Sequence, residues 1–106
     1  MTEPAKRPPF ARVGSDAGAA PGIPVELPHP RWEAILRDLE ARGVSGHPVL
    51  VSATAITWMS GALGCPQPGR SYAQSLVEGM RAIVEIDGAI YDYRFGRGDH
   101  PRLCTG

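Results

Sequence analysis

Asp87-Gly88 constrains this chain more than any other pair of residues. The dipeptide is preferred in two-residue type I′ turns, whose central residues both need positive φ, and both of its flanks alternate as strands do. Closing a hairpin there pairs Ile86 with Ala89, Val84 with Tyr91, Ala82 with Tyr93 and Met80 with Phe95, all apolar and all on one face. The other face pairs Glu85 with Ile90, Ile83 with Asp92 and Arg81 with Arg94. One face is therefore core and the other partly wet, which pins the register. The pairing also sets two arginines directly opposite each other. Such like charges destabilise a pair unless an anion, an acidic partner, or Asp92 or Glu85 on the same face relieves them.

A sheet with one apolar face needs a cover, and residues Pro30 to Arg42 supply one. Trp32, Ile35, Leu36 and Leu39 recur at the spacing that places them on one side of a helix. Pro30 suits the first turn, Glu33 and Arg42 complement the macrodipole, and Gly43 suits the left-handed residue that ends the helix. Glu33 with Arg37 and Asp38 with Arg42 form i,i+4 pairs on the solvated side. Val49 to Trp58, rich in Val, Ile and Thr, reads as a strand, with apolar residues on both parities that imply a bulge or burial on both faces. Met59 to Arg70 is a loop or wide turn, Ser71 to Leu76 a second strand, and Glu78-Gly79 the next turn. Trp58 is expected to close the sheet edge against the helix. The predicted fold is α+β: an N-terminal amphipathic helix packed on a three- to four-stranded antiparallel sheet.

Residues 1 to 30 hold seven of the eleven prolines and few large apolar side chains. Residues 1–22, rich in Pro, Ala and Gly, are expected to be a disordered or extended tail, and residues 23–106 a single domain whose Ile23, Val25 and Leu27 lie along it as an extended segment. Eleven Lys plus Arg balance eleven Asp plus Glu, so no field steers the chain to nucleic acid or an anionic membrane. Apolar runs such as Val49 to Ala53 are too short to span a bilayer. The first ten residues carry charge without an apolar stretch after it, so the expectation is no secretory leader and a cytoplasmic location by default, or export if the start is misassigned.

The only cysteines are Cys65 and Cys104. A bond between them would close a loop of about 40 residues and stabilise the fold by about 4 kcal/mol on the chain-entropy model. Two half-buried free thiols are the alternative, favoured where thiols are kept reduced. His100 lies four residues before Cys104, but structural zinc needs paired short spacings that are missing, so no metal and no cofactor is expected. P-loop, Gly-x-Gly-x-x-Gly, Gly-x-Ser-x-Gly and His-Glu-x-x-His patterns are absent too. Arg97-Gly98-Asp99 reads as a polar turn.

Leu63-Gly64-Cys65-Pro66-Gln67-Pro68-Gly69, followed by Tyr72, Gln74, Gly79, the Gly88 turn, Tyr91, Tyr93-Arg94 and Cys104, resembles a family of small uncharacterised bacterial proteins over about residues 56 to 104. The resemblance implies shared architecture and no catalytic residues. It also implies export or lipoprotein leaders in many members, where the two cysteines could bond.

These features point to a non-enzymatic binding or interaction module that presents a rigid Cys-Pro loop, in the manner of an inhibitor, to a protein or small-molecule partner. Its candidate binding residues are Cys65, Pro66, Gln67, Arg70, Tyr72, Gln74, Arg81 and Arg94. Tyr72 and Gln74 would border a small pocket beside the loop, while Tyr91 and Tyr93 fall on the core face. The competing readings are a small thiol, redox or histidine-dependent enzyme using Cys65 with Cys104 or His100, and a purely structural accessory domain.

Overall fold

A computed structural model describes residues 22–105; the expected tail lies outside the described residues apart from Gly22. The elements run β1 (Ile23–Pro24), α1 (His29–Ala41), β2 (Val49–Trp58), β3 (Val77–Ile86), β4 (Ala89–Phe95) and β5 (Arg102–Cys104). All neighbours pair antiparallel in the order β1-β2-β3-β4-β5. The class is the expected α+β, but the sheet has five strands instead of three or four. The additional ones are short edge strands of two and three residues. Elements of that length bury too little side chain to show a pattern in sequence.

The hairpin forms as its turn dictates. Asp87 and Gly88 take φ of 50° and 86°, and all seven pairs counted outward from the turn occur in the β3–β4 register. Ile35 and Leu39 of α1 pack on Met80, Ala82, Val84, Ile86, Tyr93 and Phe95, with Leu27, Trp32 and Leu103 at the margin. Helix α1 starts one residue before the predicted Pro30, so Glu33 falls in the second turn, away from the N-terminal dipole, and faces His29 at 3.0 Å in place of Arg37. Arg42 caps the C-terminus and pairs with Asp38 as expected, and Gly43 follows at φ 76°. Strand β2 carries its irregularity between Leu50 and Ser52, a bulge that accounts for apolar residues on both parities.

Two expectations fail together. Ser71 to Leu76 is irregular, and Glu78-Gly79 lies inside β3 and forms no turn. The cause is Trp58. Its register opposite Val77 places it on the face away from α1, in a second core with Ile56, Leu63 and Val77, so it does not close the sheet against the helix. The indole Nε1 donates to the Phe95 carbonyl at 3.0 Å. A Cβ at position 79 would overlap that carbonyl oxygen and stand 2.8 Å from the indole nitrogen. Glycine at 79 therefore marks a close approach across a strand, not a reversal of the chain. Gly79→Ala is expected to cost at least about 3 kcal/mol through forced separation of β3 and β4. The urea midpoint measures it, and an unchanged midpoint contradicts this packing.

On the helix side, Tyr93 is fully buried and its hydroxyl donates to Asp38 at 2.6 Å, and Arg42 Nε donates to the same carboxylate oxygen. Burial, and then the Asp38 bond, hold the Tyr93 phenol well above the usual tyrosine range. The unfolded chain then releases this proton first, so the contribution is present below about pH 10 and is lost as pH rises beyond it. The expected loss is about 1.4 kcal/mol per pH unit. Urea titrations across that range should show a steeper decline for the parent chain than for Tyr93→Phe; equal slopes would refute it.

Candidate functional site

The face of the sheet opposite α1 is covered by the segment between β2 and β3, residues 59–76. Its path is a series of tight turns. Leu63 N–H donates to the Ser60 carbonyl, Cys65 N–H to Ala62 and Arg70 N–H to Gln67, at 3.2, 3.0 and 3.2 Å. In the second turn both central residues, Leu63 and Gly64, are left-handed, at φ 54° and 70°. In the third, Pro68 is followed by Gly69 at φ 79°, the residue order that a type II turn requires. Gly61 N–H closes the base by donating to the Ala73 carbonyl at 2.9 Å.

A leucine in the left-handed region costs about 1 kcal/mol or more and persists only where its surroundings impose it. Here Arg94 imposes it. Arg94 is 1% exposed, yet each guanidinium nitrogen has an acceptor: Nη1 donates to the Leu63 carbonyl at 3.0 Å, while Nε and Nη2 donate to the two Asp92 oxygens at 3.3 and 3.0 Å. The guanidinium lies 5.2 Å from the centroid of the Trp58 ring. Any Cβ at Gly64 would come within 2.8 Å of Arg94 Nη1, so both the backbone angle and this approach demand glycine.

Asp92 also resolves the expected conflict between Arg81 and Arg94, which do stand opposite each other. Arg81 Nε and Nη2 donate to its two oxygens at 3.1 and 2.9 Å, so one half-buried carboxylate joins both arginines. Arg102 of β5 stands opposite Arg94 in the next strand and extends the row. Its Nη1 donates to the Gly61 carbonyl at 3.1 Å, and its guanidinium stands 5.8 Å from the centroid of the Tyr72 ring. Cys104, opposite Asp92, is bonded to Cys65, with Cα atoms 6.0 Å apart.

The loop is thus fixed to the sheet at Gly61, Leu63 and Cys65, and beyond them Tyr72 Oη accepts from Gln67 N–H at 3.1 Å. Pro66, Gln67, Pro68, Gly69 and Arg70 are all exposed. Beside this tip lies a cavity of about 330 Å³ bordered by Met59, Ala62, Pro66, Tyr72 and Gln74. Gln74 Nε2 donates to the Tyr72 carbonyl at 3.3 Å.

The expected site residues therefore divide. Pro66, Gln67, Arg70, Tyr72 and Gln74 gather at the exposed tip and its cavity. Cys65 is half-buried in the disulfide. Arg81 is largely covered and ion-paired, and Arg94 is interior, so as a binding residue it is corrected to an anchor of the loop. His100 is exposed. Neither sulfur is a free thiol. Among the described residues, no three His, Cys, Asp or Glu side chains gather as metal ligands, and no helix is long and apolar enough to cross a membrane. Arg102 was missed, because the strand that carries it is too short to read. Arg31 was missed as well: its Nε donates to Asp99 at 3.1 Å and its Nη2 to the Arg97 carbonyl at 3.2 Å, which folds the Arg97-Gly98-Asp99 turn against α1.

Structurally, the chain is an antiparallel sheet with a helix on one face and a stapled, turn-rich loop on the other. It belongs to a domain family of unknown function, DUF8738, whose model matches residues 32–104. That span includes α1 from Trp32 onward, the whole loop and both cysteines, and it accords with the resemblance to an uncharacterised family. No curated protein and no solved structure gives a match.

Proposed function

We propose that this domain is a binding module whose contact surface is the exposed tip Pro66 to Arg70 together with the cavity between Pro66, Tyr72 and Gln74. One observation carries the reading: the tip is exposed while the backbone leading into it is fixed to the sheet at Gly61, Leu63 and Cys65 by Arg102, Arg94 and the disulfide, and the tip is tied to Tyr72 beyond it through Gln67 N–H. A loop already held in one shape loses little conformational entropy on association, which is how inhibitor-like loops obtain affinity. A thiol enzyme fits less well, since both sulfurs lie in one bond and His100 is an exposed loop residue. On this reading the bonded pair suits an oxidising compartment.

The test is site-specific photo-crosslinking in cells that make the chain. A photoreactive side chain at Gln67 should capture one defined species, and the same group at Glu40, on the exposed side of α1, should not. Identical products from both positions, or none from Gln67, would refute the proposal.

A further inference from the structure

Resting on that reading, we infer that the partner contributes an extended acidic segment, with one apolar side chain seated in the cavity beside the loop and a carboxylate next to it facing Arg70 and Arg102. The first observation is shape. The cavity is walled by the Met59 side chain, Ala62, the Pro66 ring and the Tyr72 ring, and its volume of about 330 Å³ lies at the low end of ligand pockets, suited to one large side chain with its flanking backbone. Met59 is 56% exposed, and so is Leu76, two residues beyond Gln74. A small ligand confined to the cavity would leave those side chains in water, whereas a peptide crossing it would cover both.

Charge is the second observation. The whole molecule is balanced, yet residues 43–77 contain no Asp or Glu, and their single charged residue is Arg70 at the tip. A second cation, Arg102, stands behind the cavity wall, its guanidinium 5.8 Å from the centroid of the Tyr72 ring; it is half-buried, and among the described residues its partners are the Gly61 carbonyl and that ring. The nearby carboxylate, Asp92, is taken up by Arg81 and Arg94. Glu78 lies, by strand parity, on the face that carries α1. Among the described residues no carboxylate is paired with Arg70 or Arg102, and an acidic segment complements them. The polar groups of the wall are consistent with backbone contact: Gln74 uses one Nε2 hydrogen on Tyr72 and keeps its Oε1 for a partner N–H.

A random peptide library displayed on phage and selected against the immobilised, disulfide-bonded protein tests this. The expected result is a consensus of one aliphatic or aromatic residue with Asp or Glu close beside it. A synthetic consensus peptide should bind more weakly as salt rises, and about fivefold more weakly to Arg70→Glu. Tyr72→Phe, which keeps the wall but removes the Oη that accepts from Gln67 N–H, should weaken binding, while Tyr72→Ala, which removes both, should lose it. Because both Tyr72 variants release an anchor of the loop, Arg70→Glu is the decisive variant: Arg70 is exposed, and among the described residues its side chain holds no other group in place. Peptides without acidic enrichment, or binding insensitive to salt and to Arg70→Glu, overturn the inference, and if that binding still requires the loop the binding-module reading stands. Selection that yields no peptide, or only peptides indifferent to the loop, counts against both. Preference for a free small molecule over any peptide overturns the inference alone.

Discussion

Arg94→Met is expected to lower the unfolding free energy by about 3 to 5 kcal/mol, the range seen when one partner of a buried charged network is removed. The Leu63 carbonyl loses its donor inside the protein, Asp92 keeps only Arg81, and Trp58 loses the cation against its ring. Arg94→Lys should recover little, because an ammonium has no planar fork with which to hold Asp92 and the Leu63 carbonyl together. Removing Asp92 as well should cost less than the sum of the two single changes, since the groups share one network. Urea unfolding at neutral pH, followed by tryptophan fluorescence, measures all three variants. A loss below about 1 kcal/mol for Arg94→Met would mean that the buried guanidinium does not hold the loop.

Replacing both cysteines with serine is expected to cost about 4 kcal/mol on the chain-entropy model, for a separation of 39 residues. The fold should survive. The core formed by Ile35, Leu39, Met80, Val84, Tyr93 and Phe95 lies on the far face of the sheet, and the bonded strand reaches it only through Leu103 at its margin. Leu63 keeps its Arg94 donor, so the freed part is Cys65 to Arg70 together with the C-terminal edge at β5, which carries the Arg102 donor to Gly61. Circular dichroism should therefore be preserved while the urea midpoint falls and partner capture through Gln67 weakens. Loss of the sheet itself, or an unchanged midpoint, would contradict this division of labour.

The sheet was legible wherever local rules and burial agreed. Asp87-Gly88 sets the turn by its backbone preference, and a slip of one residue would have turned Met80, Ala82 and Val84 to the wrong face, so the register had one solution. Helix α1 showed through its apolar spacing. The candidate site was legible only in part. Cys65 to Gln74 stood out by composition, and Asp92 by its parity with the two arginines. What holds the loop was not visible, because Trp58, Gly79, Arg94 and Arg102 act through contacts between residues far apart in the chain. Gly79 shows the difficulty most clearly: in sequence it resembles a turn residue, and only the indole passing over it reveals that space, not a positive φ, requires glycine there. Arg94 is the counterpart among charged residues, since arginine is normally exposed and burial of its guanidinium needs acceptors that only tertiary structure supplies.

Backbone ¹⁵N relaxation of the oxidised protein tests the fixed, exposed loop most directly. Order parameters at the Gln67, Gly69 and Arg70 amides should match those of the β3–β4 strands, about 0.85. Values below about 0.6 at those three amides, with the strands rigid, would show a flexible tip and contradict a preformed binding surface.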